Sequence, residues 1–340
     1  MSIEGKAGNF TAKVHCLPRY VDKDRCTACG TCADYCPVPI RDDYNEGLCL
    51  TKAVHMDYQQ AIPAAFHVDA NACLFLTNQE CKQCEKVCQA KAIDFKQQAQ
   101  DIELNVGAVV LALGFGRISK EVLSRYGYGI SPNVITSTEL ERILSASGPF
   151  RSHLIRPSDQ KEPKKIAWLQ CVGSRDVNYC DNGYCSSVCC MYAIKEAVIA
   201  REHSKDPLDT AIFFIDMRTY GKEFEQYYNR ARESGVRFVR CRVHTIDSVV
   251  GSDNLEIRYV TEDGRVENEE FDMVVLSVGL ESTPGAAELA EKLGIDLDHN
   301  EFARTSSFAP VSTSAPGIYA CGAFQGPKDI PYSVMEASAA

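Results

Sequence analysis

No apolar run in this sequence reaches the roughly 18 residues that a transmembrane helix needs, so no segment is predicted to span a bilayer. The N-terminal segment lacks the apolar core of a signal peptide, and the expected location is therefore the cytoplasm. Positive charge is also scarce, since 36 lysines and arginines face 46 aspartates and glutamates, for a net charge of −10. This acidity argues against nucleic acid and anionic membrane surfaces as partners.

Cysteine, by contrast, is abundant, with 17 in 340 residues. In a small secreted domain so many cysteines would indicate disulfide bonds. This chain is long enough for roughly two or three domains, and its cysteines stand in short-spaced groups. That grouping favours metal ligation in a reducing compartment over disulfide formation.

The first cysteine group is a ferredoxin motif. Residues 26–37 follow the pattern C-x2-C-x2-C-x3-C-P, which binds [4Fe–4S] clusters in bacterial ferredoxins. The two-residue gaps let one loop place three thiolates around a cube, while Gly30 permits a tight turn and Pro37 fixes the exit. The fourth cysteine of such a motif ligates the other cluster.

The second group departs from this pattern in two ways. Seven residues separate Cys73 from Cys81, and Gln89 stands where proline is usual. A longer loop still closes at small entropic cost, so we predict two [4Fe–4S] clusters with crossed ligands. The first set is Cys26, Cys29, Cys32 and Cys88, and the second set is Cys36, Cys73, Cys81 and Cys84.

Zinc is the alternative metal for these motifs, because it also accepts four thiolates and C-x2-C is a common zinc spacing. A C-x2-C-x2-C run followed by C-x3-C-P is rare in zinc fingers. The motifs therefore favour iron–sulfur clusters, and a zinc-stabilised interaction protein is the competing hypothesis.

A third group of cysteines follows a predicted strand at residues 165–170 and enters a predicted helix at 185–202. Residues four apart share one helix face, and a helix N-terminus favours an anionic cluster. We predict a third cluster here, with Cys180 competing for one place. The alternative is a set of reactive or buried thiols. The predicted ligands are Cys171, Cys185, Cys189 and Cys190.

Strands and helices alternate after residue 96, which predicts an α/β fold with a parallel sheet. The apolar strand 107–113 leads into a glycine loop that imitates part of a dinucleotide fingerprint. A second strand, near the C-terminus, ends in glycines followed by an acidic residue, and such a loop can approach a flavin. The candidate cofactor-binding residues are Gly114, Gly116, Gly322, Gly326 and Asp329.

Local patterns in this region predict two further details. A helix is expected over residues 138–146, with a capping box that begins at Ser137 or Thr138. Residues 255–261 and 270–278 are expected to pair as antiparallel strands.

Seven stretches together resemble the A subunit of heterodisulfide reductase, an FAD and iron–sulfur protein of methanogens and sulfate reducers. They are residues 26–88, 107–114, 132–137, 144–149, 170–176, 185–193 and 325–331. The resemblance covers nearly the whole chain. It implies a thioredoxin-reductase-like, doubly wound α/β fold of the FAD/NAD(P) type with an inserted α+β ferredoxin domain for two clusters. It also implies the third cluster at the four cysteines above, and flavin contacts near Gly114, Gly322 and Asp329.

The family's FAD domain opens with a G-x-G-x-x-G segment before the ferredoxin insert, and this chain starts after that segment. The fold is therefore expected to be incomplete, and FAD binding to require a segment supplied by another chain. The expected domains are a remnant of the FAD domain (1–20), a ferredoxin domain (21–96), an FAD-domain segment (97–150), an NAD(P)-domain-like unit carrying a cysteine cluster (151–283) and a C-terminal FAD-domain segment (284–340).

The function implied by the resemblance is an electron relay between [4Fe–4S] clusters, FAD and other redox subunits of a heterodisulfide-reductase-like complex. Such a relay needs no general acid or base, so no catalytic residue is nominated. The alternatives are a flavin-free iron–sulfur carrier or remnant, and the zinc-stabilised interaction protein.

Overall fold

The computed structural model describes residues 2–243 and 245–340, and the chain forms two compact units. The first unit contains Ser2 and Thr11–Asn105, and the second contains Ile3–Phe10 and Val106–Ala340. Within the described ranges, no helix combines the length and the apolar character that crossing a membrane requires. The finer division into five domains stays a prediction.

The elements up to the end of the first unit are short. They are β1 (Ser2–Lys6), β2 (Asn9–Cys16), α1 (Thr31–Asp34), β3 (Pro39–Arg41), β4 (Leu50–Lys52), β5 (Val54–His55), β6 (His67–Val68), α2 (Leu74–Asn78), α3 (Gln83–Val87) and β7 (Gln100–Val106). β2 lies beside β7, while β3 pairs with β4 and β5 with β6, both antiparallel. Cysteines pack among the apolar side chains of the small core of this unit, so its stability depends on what those thiols bind.

The second unit contains most of the regular structure. Its elements are β8 (Val109–Leu111), α4 (Lys120–Ser124), β9 (Val134–Thr136), α5 (Ser137–Leu144), β10 (Lys165–Val172), α6 (Cys189–His203), β11 (Asp209–Phe214), α7 (Phe224–Glu233), β12 (Arg237–Arg240), β13 (Thr245–Ser248), β14 (Leu255–Val260), β15 (Val266–Phe271), β16 (Met273–Val278), α8 (Ala286–Leu293), β17 (Ile318–Ala320), a 3-10 helix (Gly322–Gln325) and α9 (Ile330–Ala339).

A five-stranded parallel sheet forms the centre of this unit, in the order β12–β11–β10–β16–β9. Its middle strand, β10, is apolar and almost wholly buried from Ile166 to Leu169, as a strand covered on both faces must be. The α/β prediction is therefore confirmed. Since the carboxyl ends of parallel strands meet at one edge of a sheet, the end of β10 is a natural position for a ligand site.

The predicted pairing of residues 255–261 with 270–278 is wrong in its second strand. β14 pairs antiparallel with β15, whereas β16 joins the parallel sheet between β10 and β9. The reason is burial. Every residue of β16 from Met273 to Ser277 is buried, so this strand needs cover on both faces, which a two-stranded ribbon does not provide.

Two predicted helix starts also shift. The capping box of α5 is formed by Thr136 and Glu139, whose carboxylate accepts the Thr136 N–H at 2.7 Å, and not by a box beginning at Ser137 or Thr138. Helix α6 begins at Cys189 instead of Cys185, because Ser187 adopts a left-handed φ of 61°, which interrupts a helix.

A buried carboxyl group links α6 to the sheet. Trp168 on β10 donates its indole N–H to Glu196 Oε2 at 2.9 Å, and both side chains are fully buried. Burial raises the pKa of Glu196 well above its ordinary value, so the folded protein holds this carboxyl group in its neutral form at neutral pH.

Replacing Glu196 with glutamine should make the protein more stable at neutral pH and less sensitive to pH. Above the ordinary pKa, the unfolded chain loses a proton that the folded chain keeps, so wild-type stability falls by about 1.4 kcal/mol per pH unit until the folded pKa is reached. Glutamine still accepts the indole hydrogen bond and has no such dependence. Denaturant unfolding at pH 5.5 and 7, followed through the single tryptophan, measures the difference.

The matched control is Glu233→Gln, which alters an exposed glutamate on α7 and should leave the pH dependence unchanged. A Glu196→Gln protein whose stability followed the wild-type pH dependence would show that Glu196 is ionised in the folded state.

Candidate metal centres and cofactor edge

The first cysteine motif forms a tight loop that runs into α1. Gly30 caps this helix with a φ of 83°, a left-handed conformation that glycine adopts without steric cost. Cys26 Sγ accepts the N–H of Ala28 at 3.5 Å, and Cys32 is buried on α1. Backbone N–H donors of this kind stabilise thiolate charge, and they tune the potential of any cluster bound to the sulfur.

Backbone hydrogen bonds connect the end of the second motif to the start of the first. The N–H of Cys26 donates to the carbonyl of Asp22 at 2.9 Å, and the N–H of Asp22 donates to the carbonyl of Ala92 at 2.7 Å. The N–H of Ala92 in turn donates to Cys88 Sγ at 3.3 Å. This chain of bonds brings Cys88 towards the loop of the first motif, as a crossed ligand set requires.

The four thiols of the second predicted set line one cavity, with about 350 Å³ of empty space that is partly open to solvent. Most of the other lining residues are apolar, and they include Val38, Val54, Val68, Leu74, Phe75 and Phe95. The four cysteines are Cys36, Cys73, Cys81 and Cys84. A cavity lined by four sulfurs and apolar walls suits a buried anionic cluster.

The long gap of the second motif closes through a single turn of helix. Cys73 is the N-cap residue of α2, and Gln79 ends that helix with a φ of 63°. The N–H of Gln79 donates to the carbonyl of Phe75 at 3.0 Å, which turns the chain back towards Cys81. The extra residues therefore form a compact bulge, and both cysteines still line the same cavity.

The thiols within each set raise one another's pKa. Burial, assisted by three neighbouring thiols, raises the pKa of Cys32 to about 12 and that of Cys84 to about 11. The neighbouring thiols are Cys26, Cys84 and Cys29 around Cys32, and Cys73, Cys36 and Cys81 around Cys84. Several thiolates this close repel each other unless a cation lies between them, so the arrangement favours metal ligation.

The third cysteine group meets where β10 approaches the N-terminus of α6. Cys171 lies at the end of β10 with a φ of 64°, while Cys189 and Cys190 are the first residues of the 15-residue helix α6. Cys189 accepts hydrogen bonds from the thiols of Cys171 and Cys190. Those bonds lower the pKa of Cys189 and, together with burial, raise the pKa of the two donors.

Cys185 completes this group. Its thiol interacts electrostatically with Cys171, and its Sγ accepts the N–H of Ser187 at 3.3 Å. Two guanidinium groups lie close by, since Arg175 interacts with Cys171 and Arg218 with Cys185. Positive charge and a helix N-terminus both favour an anionic cluster at this position.

Cys180, the predicted competitor, lies in a different environment. Burial raises its pKa, and the charged groups that influence it are Asp176, Glu281, Arg125 and Arg242. The structure therefore brings together the four thiols predicted as ligands and places Cys180 among these charged side chains. All 17 cysteines lie within the described residues, and none of them forms a disulfide bond there.

An orphaned amide provides a fit test for this third site. Both polar side-chain atoms of Gln170 are buried and lack a hydrogen-bond partner within the described residues. Gln170 and Cys171 line the same cavity. An unpaired buried amide costs free energy, whereas an amide N–H beside a cluster can donate to its sulfur atoms. The side chains around the four thiols therefore fit an iron–sulfur cluster.

The candidate flavin residues gather at one edge of a small parallel sheet. β8 pairs in parallel with β17, so Gly114 and Gly322, which follow these strands, lie at the same edge. At Gly114 and Gly326, an added Cβ would meet nothing within 4 Å. Backbone is thus open to a ligand at these two positions.

The other three flavin candidates already have structural partners. Gly116 bonds to Glu281 through its N–H at 2.7 Å, and an added Cβ there would lie 2.3 Å from a carbonyl oxygen. The N–H of Gly322 donates to Glu336 at 2.9 Å, while Asp329 caps α9. The edge therefore fits a flavin in part, through its space rather than through its donors.

One group of possible metal ligands has no recognisable spacing in the sequence. His55, Asp57 and His67 lie together in the first unit, although the two histidines are separated by an irregular loop. Only the pairing of β5 with β6 reveals the group. The isolated pattern H-x-D is too common to have identified it.

Two family models match the chain. The pyridine nucleotide-disulphide oxidoreductase family matches residues 45–340, and the 4Fe-4S binding domain family matches residues 19–41, which contain the first cysteine motif. Together with the parallel sheet, these matches confirm the predicted oxidoreductase-type α/β fold with a ferredoxin-type domain.

Similar proteins extend this result. An iron–sulfur A subunit of the CoB–CoM heterodisulfide reductase of Methanopyrus kandleri, the second of its kind there, is 43% identical over 100% of this chain. The corresponding iron–sulfur A subunit of Methanocaldococcus jannaschii is 40% identical over 100% of it. The chain spans about half of each relative, 51% of its length. Among solved structures, T. acidophilum thioredoxin reductase has 16% identity and a TM-score of 0.44, over 70% of this chain and 65% of its own.

The first family model covers most of the chain, and relatives well above 30% identity cover all of it. The chain therefore belongs to the pyridine nucleotide-disulphide oxidoreductase family, as a homologue of the A subunit of heterodisulfide reductase.

Proposed function

We propose that this chain relays electrons within an oxidoreductase through [4Fe–4S] clusters held by its three cysteine sets. The observation that carries the proposal is the convergence of cysteine thiols at the second and third sites, in a shared cavity and through mutual hydrogen bonds. Such clusters are typically held by four thiolates each. The match of residues 19–41 to a 4Fe-4S binding domain supports the same interpretation of the first motif.

A bound cluster supplies one-electron transfer, at a potential set by burial and by hydrogen bonds to its sulfur atoms. The chain's own residues hold the thiolates, exclude water with apolar walls and donate backbone N–H groups to sulfur. The N–H groups of Ala28, Ala92 and Ser187 have this last role. No proton has to move at a side chain, so we assign no catalytic acid or base.

We also propose that FAD binds at the edge formed by the ends of β8 and β17. The open backbone at Gly114 and Gly326 supports this position, and the family to which the chain belongs supports the cofactor. Because the donors of Gly116 and Gly322 are engaged, the pyrophosphate needs other groups. A further segment, in this protein or in a partner subunit, would supply them.

The relatives are subunits of heterodisulfide reductases, and we propose that this chain likewise exchanges electrons with other redox subunits. Its net charge of −10 would steer it towards a positively charged partner surface. Seventeen cysteines, none of them in a disulfide bond within the described part of the chain, support a reducing, cytoplasmic location.

The iron, sulfide and flavin content of anaerobically purified protein tests the proposal. We expect about 8 to 12 iron atoms per chain, with matching sulfide, from two or three four-iron clusters. Acid precipitation should release yellow FAD if the flavin site is complete. Clusters without flavin would indicate a flavin-free carrier. Zinc without iron or sulfide would overturn the electron-relay proposal in favour of a zinc-stabilised protein.

A further inference from the structure

The β5–β6 hairpin of the first unit presents two histidines side by side. His55 and His67 are directly opposite each other in the antiparallel pair. Their ring centroids are 4.2 Å apart, and the rings are tilted by 59°. Cross-strand neighbours of this kind hold two imidazoles in a fixed relation without help from other side chains.

A carboxylate joins the two rings. Asp57 Oδ1 lies 3.5 Å from His55 Nε2 and 4.0 Å from His67 Nε2, and the three potential ligand atoms all lie within 4.8 Å of one another. Two ligands of a tetrahedral zinc ion are roughly 3.3 Å apart, given bonds of about 2.0–2.1 Å. Shifts of about 1 Å or less in side chains would therefore close the group around one ion.

These separations are too long for ordinary hydrogen bonds, which join nitrogen and oxygen at about 2.7–3.2 Å. A simple histidine–aspartate pair is thus a poor explanation of the group. His15 and Asp101 form such a pair in this chain, with 2.6 Å between Nδ1 and Oδ1. Convergence of three ligand atoms without a direct bond is the geometry expected around a cation.

The surroundings suit neutral imidazole ligands. The side chains of His55 and His67 are only 16% and 27% exposed, whereas that of Asp57 is 57% exposed. Burial, with the adjacent ring of His55, lowers the pKa of His67, which keeps its nitrogen lone pair available. The more exposed side of the group, at Asp57, provides an entry path and room for water as a further ligand.

We propose that His55, Asp57 and His67 bind a single divalent transition-metal ion, distinct from the metals of the cysteine sets. Two imidazoles and one carboxylate suit Zn²⁺, Fe²⁺, Co²⁺ or Ni²⁺. They do not suit Ca²⁺ or Mg²⁺, which prefer oxygen ligands, and an iron–sulfur cubane prefers thiolates.

The position of the site gives it a role. Val54 and Val68, the neighbours of the two histidines, line the cavity of the second cysteine set. Because successive strand residues point to opposite faces, the histidines lie on the outer face of the same hairpin. A metal ion there would pin β5 to β6 and hold one wall of that cavity in place.

The test uses the full chain with its iron–sulfur clusters assembled, cleared of loosely bound metal with a mild chelator and then titrated with Zn²⁺. We expect one zinc ion per chain by calorimetry. Zinc-edge X-ray absorption should show only nitrogen and oxygen neighbours at about 2.0–2.1 Å, whereas zinc in a cysteine site would show sulfur at about 2.3 Å.

Two variants identify the ligands, His67→Gln and Asp57→Asn. Each should weaken zinc binding by about 100-fold or more, since loss of an outer-shell partner alone costs roughly 10- to 100-fold. Iron content and the visible spectrum should be unchanged in Asp57→Asn, whose side chain is largely exposed, so this variant carries the test if the histidine variant folds poorly. His15→Gln is the matched control and should bind zinc normally.

Three results would overturn the proposal. They are the absence of zinc binding, zinc bound only through sulfur, and nitrogen- and oxygen-ligated zinc that survives both Asp57→Asn and His67→Gln.

Discussion

Replacing Cys29 and Cys88 together with alanine should remove no more iron than replacing either one alone, about four atoms per chain. The reason is that both thiols are assigned to the same cluster, although they come from different motifs. The hydrogen bonds that link Cys26, Asp22, Ala92 and Cys88 support this crossing.

The complementary pair separates crossed from uncrossed ligation. Cys29→Ala combined with Cys36→Ala should remove about eight iron atoms, because these neighbours in one motif are assigned to different clusters. Iron and sulfide analysis, with the cluster absorbance near 400 nm as a rough guide, measures both pairs after identical anaerobic assembly. The reverse outcome, in which the Cys29–Cys36 pair loses about four atoms and the Cys29–Cys88 pair about eight, would show that each motif binds its own cluster.

Replacing Cys189 with alanine should remove about four iron atoms and leave the ferredoxin clusters in place. Cys189 is buried at the N-terminus of α6 and accepts hydrogen bonds from the thiols of Cys171 and Cys190. Because Cys189 contacts both of these thiols, its loss disturbs three of the four predicted ligands at once. We therefore expect this change to abolish the third cluster.

Cys180→Ala is the matched control, because its thiol lies among charged side chains instead. Iron content and the electron paramagnetic resonance spectrum of the dithionite-reduced protein distinguish the two variants. Equal loss of iron from both would restore Cys180 as a ligand. No loss from Cys189→Ala would favour the alternative of buried, unligated thiols.

The ferredoxin motifs were predictable because their ligands are close in sequence. A loop with two-residue gaps between cysteines has few ways to fold, and each of those ways places three sulfurs together. The long gap between Cys73 and Cys81 was the uncertain part. The structure closes it with α2, a helix too short for any periodic pattern to predict.

Sequence patterns predicted the strands of the second unit better than their pairing. The apolar run at β16 was recognised as a strand but assigned to a ribbon, since a turn precedes it in the sequence. Its burial on both faces places it in the parallel sheet. Likewise, the helix that contains Cys189 was expected to begin at Cys185, and only the backbone at Ser187 shows the later start.

Local chemistry thus determines which residues of this chain can bind iron, because thiolate spacing is written along one loop and needs no distant partner. The tertiary structure decides the rest. It selects Cys171 over Cys180 by the way β10 meets α6, and it brings His55 and His67 together by strand register. Contacts between distant residues depend on how whole elements pack, and the spacing of one short segment does not contain that information.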